Sequence, residues 1–201
     1  MLGLLKKGLD GNVIPFAPPI LRDGDVLIFQ TAAILQYLGP RIGLVPDDEI
    51  KRLQIHSLQL VIADVSVEAH DVHHPVSISD YYENQKEQAK AKAKPFIKER
   101  IPKYIGYFEK VLDANKEAPE HSKWLVGKKL SYVDLSLFHL VDGLQYAFPK
   151  AMKQIAEDYP KVMDLHKRIK GSVRIRDYLA SKRRIAFNTR GIFRYYPELD
   201  E

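Results

Sequence analysis

The stretch "FAPPILRDGDVLIFQTAAILQYLG", residues 16–39, decides how this 201-residue chain is read. Two short apolar runs, at 20–21 and 26–29, flank Arg22, Asp23, Gly24 and Asp25. Asp-Gly between such runs predicts a tight β-hairpin, because both residues tolerate positive φ. The second run gives way to helical spacing: Ile34, Leu35 and Leu38 share a face over 31–38, and Gly39 and Pro40 read as the stop. Upstream, Met1, Leu4, Leu5 and Leu9 predict a helix to about Asp10, with Gly11 ending it. A hairpin feeding a helix start concentrates free backbone groups. The first N–H groups at Gln30 and Thr31 suit a carboxylate, aided by the helix dipole, and the Gln30 amide and Thr31 hydroxyl add directional contacts. Pro19, if cis, would turn the Pro18 backbone towards a ligand. An ordinary strand-turn-helix corner fits the residues equally well, and both readings stand at this point.

Composition narrows the function classes. The chain has no cysteine, which excludes internal disulfides, thiolate metal sites and a cysteine nucleophile. No apolar run approaches the roughly 20 residues needed to cross a bilayer. The N-terminus carries a lysine pair in its apolar stretch and no small-residue cleavage site, so a cytoplasmic protein with no membrane partner is expected. The net charge is +5, densest at Lys182, Arg183 and Arg184, with Arg174, Arg176, Arg190 and Arg194 nearby. No nucleic-acid motif accompanies that charge, so it reads as a solvated helix end and tail, and a nucleic-acid partner is not expected.

From Asp47 onward the sequence reads as helices only. Asp47 or Asp48 can cap a long helix to about His70. The segment "DVHHPVSIS" breaks it, and a second helical stretch runs from about Asp80 to Ala114, bent near Pro95 and Pro102. The start of that stretch is polar and expected to face solvent. Ser131 and Asp134 form an S-x-x-D capping box, with Leu130 and Leu135 at staple positions, ahead of a helix apolar on most sides. Shorter helices are expected at about 152–158, 162–170 and 175–181. The chain thus divides into a hairpin-plus-helix unit and an all-helical domain.

Chemistry-bearing residues are few. His70, Asp71, His73 and His74 form the one metal-like cluster, but they sit at a presumed helix end before Pro75, where histidines favour the last carbonyls of a helix. No metal is expected. Asp134 reads as a cap rather than a catalytic carboxylate. There is no glycine-rich phosphate loop, no G-x-S-x-G and no H-E-x-x-H.

At "PPILRDGDVLIFQTAAILQYLG" and "WLVGKKLSYVDLSLF" the chain resembles the glutathione transferase superfamily, most closely its fungal and bacterial soluble members. The first motif looks like the second half of a thioredoxin-like domain; the second is similar to the buried capping-box helix of the family's helical domain. The resemblance implies an α+β, mostly α fold: a partial thioredoxin-like unit over 1–39, a linker over 40–46 and an all-helical domain over 47–201. It implies a glutathione co-substrate, with Pro18 pairing its backbone with the cysteinyl part, Pro19 as the cis-proline, and Gln30 and Thr31 holding the γ-glutamyl carboxylate. Asp64 lies where some family dimers offer an acid to the partner's γ-glutamyl amine. A hydrophobic electrophile would lie between the domains, in a detoxifying homodimer.

The resemblance also sets an expectation about catalysis. The family's catalytic tyrosine, serine or cysteine stabilises the glutathione thiolate from the start of a β-α-β unit that precedes the cis-proline. Such a unit takes roughly 30 residues or more, and seventeen residues precede Pro18, none of Met1 to Phe16 being Tyr, Ser or Cys. A chain lacking this unit, with no assigned catalytic residue and weak or absent turnover, is therefore expected. The competing reading is a non-catalytic module for dimerisation or protein interaction; a basic nucleic-acid binder ranks last.

Overall fold

A computed structural model describes residues 2–8 and 13–201. Helix α1 spans Leu2–Lys7; the expected continuation through Leu9 and Asp10 to a stop at Gly11 lies outside the described residues. Strands β1 (Ile20–Asp23) and β2 (Val26–Phe29) pair antiparallel, with Ile20 opposite Phe29 and Asp23 opposite Val26. This two-stranded ladder is the one sheet among the described residues. Its register makes Gly24 and Asp25 the turn pair rather than Asp23 and Gly24, and only Gly24 takes a positive φ, 59°. Asp23 instead closes β1 and accepts from the Tyr37 hydroxyl at 2.8 Å, tying the hairpin to the next helix.

Helix α2 spans Thr31–Arg41 and so runs through Gly39 and Pro40, three residues past the expected end. A proline costs a helix one N–H donor and a clash one turn back, but here it falls in the last turn. The chain closes that turn downstream instead, with Ile42 N–H donating to Leu38 O (3.0 Å) and Leu44 N–H to Gly39 O (2.8 Å).

The helical domain is built on two long elements. Helix α3, Glu49–His73, opens on Asp48, whose Oδ1 accepts from the Lys51 N–H at 2.8 Å, and ends three residues beyond His70. Pro75 disfavours helical backbone at His74 and sets that end. Helix α6, Tyr132–Ala147, opens on the predicted capping box. Asp134 Oδ2 accepts from the Ser131 N–H (2.8 Å) and hydroxyl (2.7 Å), and Oδ1 accepts from the Leu125 N–H (2.8 Å). Burial raises the Asp134 pKa against those three bonds, which hold it down. Leu130 and Leu135 are both partly buried against the core. Val65 and Val72 of α3 and Val133, Leu137, Val141 and Leu144 of α6 are completely buried, and α3 packs on α6 more extensively than on any other helix.

Between them, helix α4 spans Lys86–Pro95, a π-helical turn Phe96–Arg100, and α5 Ile101–Ala114. The expected start near Asp80 moves to Lys86, behind a short 3-10 turn at Tyr82–Asn84. The buried Gln85 amide does this: its oxygen accepts from Val76 and Ser77 N–H (2.9 and 3.3 Å) and its nitrogen donates to Ser77 O (2.9 Å). This polar stretch is not wholly solvent-facing, since Tyr82, Gln85, Ala89 and Ala93 bury one helical stripe. Helices α7 (Pro149–Ile155), α8 (Pro160–Gly171) and α9 (Val173–Leu179) each begin two or three residues before the expected positions. For α7 and α8 the reason is a proline at the first helical position, where its missing N–H costs nothing.

Candidate functional site

The start of α2 is unusual. Gln30, its N-cap, has φ 70° and ψ 125°, the one non-glycine residue with positive φ among those described, and its side chain makes no cap bond. Such a conformation costs roughly 1–3 kcal/mol and persists only where its surroundings impose it. Its carbonyl accepts the first helical bond, from Ile34 N–H at 3.0 Å. The N–H groups of Thr31, Ala32 and Ala33 therefore point out of the helix start with no helical partner.

This start opens on a cleft of about 730 Å³, within the usual size of small-molecule sites. Gln30, Thr31 and Leu35 of α2 form one wall, Gln59, Ala63 and Ser66 of α3 the floor, and Tyr132, Ser136 and His139 of α6 the far side, with Ile192 and Phe193 of the C-terminal tail at its edge. The lining is mostly apolar, with a few convergent polar groups, as small-molecule sites are. Gln59 is 4% exposed, and its amide oxygen has no hydrogen-bond partner. A buried unpaired amide oxygen costs about 1–3 kcal/mol. Two of the lining hydroxyls are already committed: Ser66 donates to Ile62 O (2.7 Å) and Ser136 to Tyr132 O (3.1 Å). Burial pushes the Tyr132 phenol up to about 12, which keeps it protonated. Of the titratable groups on α6, Asp142 is held well below the usual carboxylate range, mainly by the His166 ring that hydrogen-bonds it at 3.2 Å.

Of the residues expected from sequence, Gln30 and Thr31 line the cleft. The Pro18–Pro19 peptide is cis. Pro18 and Pro19 are both exposed and, like Asp64, are not among the cleft's lining residues. Asp64 is exposed on α3, beside Leu60, Ala63 and Val67, which do line it. Gln59, Ser66, Tyr132 and His139 escaped sequence reasoning, since each sits in a helical pattern that core packing explains as well. The basic residues scatter: Arg184 lies 3.4 Å from Asp142 and over the Phe187 ring, Arg176 pairs with Asp177, and Arg183 stacks on Tyr178.

The histidines at the end of α3 do converge. His73 Nδ1 lies 2.6 Å from His74 Nδ1, His73 Nε2 lies 2.8 Å from Ile192 O, and the His70 ring stacks on that of His74. Burial pushes His73 down to about 3 and lowers His74 as well.

Comparison with known proteins fits this geometry. Residues 70–182, more than half of the chain, match the profile of the glutathione S-transferase C-terminal domain. Glutathione S-transferase of Plasmodium falciparum (isolate 3D7) is 26% identical over 166 residues, covering 82% of this chain and 70% of that protein. Glutathione S-transferase P 1 of Xenopus laevis is 28% identical over 166 residues, covering 83% and 69%. Among solved structures, the Pi-class glutathione S-transferase of Onchocerca volvulus superposes with a TM-score of 0.62 at 25% identity, over 81% of this chain and 69% of that one. The glutathione S-transferase Blo t 8 gives 0.66 at 24% identity, over 90% and 73%, a likeness of fold.

Proposed function

The chain belongs to the glutathione S-transferase superfamily through its helical domain, and from that membership we propose that it binds glutathione in the cleft between α2, α3 and α6, the site of the family's conjugation of the glutathione thiolate to a hydrophobic electrophile, with weak or absent turnover by this chain itself. Glutathione is the family's co-substrate, and conjugation is the family's reaction. One observation carries the assignment to this cleft: the strained Gln30 start of α2, whose first N–H groups have no helical partner, opens on a cleft also lined by Gln59 and Thr31. In this reading the γ-glutamyl carboxylate accepts from the α2 start and the Thr31 hydroxyl, with the Gln30 amide against it. The Pro18 backbone, ahead of cis Pro19, meets the cysteinyl part. The electrophile lies against the apolar lining of the cleft, Leu35, Leu60 and Leu140 among it.

The unit over 1–39 supplies these contacts, 40–46 joins it to the helical domain, and 47–201 supplies the electrophile's wall. Self-association through α3 fits the exposed apolar residues Ile50, Leu53, Leu60 and Val67, which follow one helical face with Asp64. Asp64 then faces the partner copy rather than its own cleft. A cytoplasmic detoxifying role completes the reading.

Binding and turnover separate here. The Ser66 and Ser136 hydroxyls are tied to their own helices, so neither is free to donate to the thiolate. The test is retention on immobilised glutathione together with turnover of a chlorodinitrobenzene-type electrophile. Gln30→Ala and Thr31→Val each remove one contact to a charged carboxylate, worth about 1.5–3 kcal/mol, so affinity should fall roughly 10- to 100-fold. Turnover should stay near background. Undiminished retention of both variants overturns the site; robust turnover by the purified chain overturns the separation of binding from catalysis.

A further inference from the structure

A second cluster lies where the end of α3 meets the C-terminal tail. The geometry points to a metal site: we propose that His70, His73 and His74 together bind one divalent transition-metal ion, zinc being the ion this ligand set fits best. Their nearest ligand nitrogens all lie within 4.8 Å of one another.

The tautomers carry the inference. A carbonyl oxygen only accepts, so the contact of His73 Nε2 with Ile192 O at 2.8 Å puts the ring proton on Nε2 and leaves Nδ1 with a bare lone pair. His74 Nδ1 faces that bare nitrogen at 2.6 Å, a separation at which the two rings share either a proton or a cation. A proton is shared by two rings at most; a metal ion accepts from all three. Metal-bound histidines characteristically donate their second N–H to a backbone carbonyl or carboxylate, fixing the ring. His73 has that partner in Ile192 O, and His70 has Asp71 Oδ1 at 3.6 Å from its Nδ1.

The environment selects the ion. Three neutral imidazoles and no thiolate suit zinc, copper, nickel or cobalt rather than magnesium or calcium. Arg194 acts on both His73 and His74 as an unfavourable charge for a cation. That charge works against hard ions held by electrostatics and less against ions held by coordinate bonds. With metal–nitrogen bonds of about 2.0–2.1 Å, tetrahedral nitrogens stand about 3.3 Å apart. The His73 and His74 nitrogens must therefore open slightly while His70 swings in. His70 can do so, because its side chain is partly exposed on the last turns of α3. The fourth position is left to water or the nearby Asp71 carboxylate. The ion would tie α3 to Ile192, whose neighbour Phe193 edges the cleft.

The test uses the full metal-free chain, titrated with Co²⁺ alone and then Zn²⁺, in buffer without thiols so that glutathione chemistry plays no part. One Co²⁺ per chain should bind with the visible d–d bands of a four-coordinate nitrogen site, and Zn²⁺ should displace it. One equivalent of Zn²⁺ should raise Tm. His70→Ala should weaken Co²⁺ binding by roughly tenfold or more, as loss of metal-site contacts typically does. The His70→Ala, His74→Gln double variant should lose both the bands and the Tm shift. If the double variant unfolds by circular dichroism, His70→Ala alone decides, since that ring is not part of the buried core. Absent bands with no Tm shift, or undiminished binding by these variants, overturns the proposal.

Discussion

Gly143→Ala has a sign that reports on whether the C-terminal tail is seated on α6. Gly143 lies mid-helix in α6, and a Cβ placed there would stand 2.3, 2.5 and 2.5 Å from three ring carbons of Phe193. Carbon atoms pack at about 3.5–4.0 Å, so the ring must retreat by more than about an ångström. Phe193 is 5% exposed and touches backbone and aromatic neighbours that cannot all follow. Expelling it forfeits about 2–3 kcal/mol of burial. Against this, alanine in a helix interior is favoured over glycine by about 1 kcal/mol. The balance is a loss of about 1–2 kcal/mol, or roughly 2–8 °C in Tm for a chain of this size. Thermal unfolding followed at 222 nm measures it. In a Phe193→Ala background the clash is gone, and the same Gly143→Ala change should become stabilising, a sign reversal that a double-mutant cycle isolates. A Gly143→Ala chain more stable than the parent would refute the seated tail and, with it, the Ile192 and Phe193 edge of the cleft.

Two further outcomes follow from the core of the helical domain. Asp134→Ala should cost about 3–5 kcal/mol in urea denaturation, because it leaves the Leu125 and Ser131 N–H groups and the Ser131 hydroxyl without their acceptor; Asp134→Asn should recover less than half, its amide nitrogen facing two donors, and a loss below about 1 kcal/mol in the alanine variant would refute that role. Asp142 has a depressed folded-state pKa, so the unfolded chain binds its proton first: the stability it contributes is present above the usual carboxylate value of about 3.9 and drains as pH falls below it. Urea midpoints measured from pH 5 to pH 2 should therefore fall less steeply for Asp142→Asn than for the parent, and parallel curves would remove Asp142 from the acid response.

What the sequence made legible was local. The hairpin, the Asp48 cap and the Ser131 and Asp134 box all appear as predicted because donor and acceptor lie within three residues. The starts of α7 and α8 fall at Pro149 and Pro160, ahead of the apolar pattern, and the carboxylates that accept from their next N–H groups come from far away. Asp200 accepts from the Lys150 and Ala151 N–H groups (2.7 and 3.1 Å), and Glu109 from those of Lys161 and Val162 (3.0 and 2.9 Å). Phe148 and Tyr159, the residues at those N-caps, offer no cap of their own. The cleft shows the same division. Gln30 and Thr31 announce a helix start, whereas Gln59 is one amide in an amphipathic run, and only the neighbouring helix leaves its oxygen unpaired. The histidines at the end of α3 read as a helix end, and the tail that orients His73 arrives 119 residues later.

The backbone at Gln30 separates a binding corner from a plain connection. Glycine adopts φ 70° with little strain, and a connection under no other demand would gain stability by having it there. Glycine would also leave the corner without an amide at the mouth of the cleft. A glutamine held in that conformation, next to three helix N–H groups with no helical partner, keeps strain in the chain while placing an amide at the mouth of the cleft. In the proposed reading, a peptide-like ligand brings its carboxylate to that helix start, and the strain is the cost of keeping the corner ready for it.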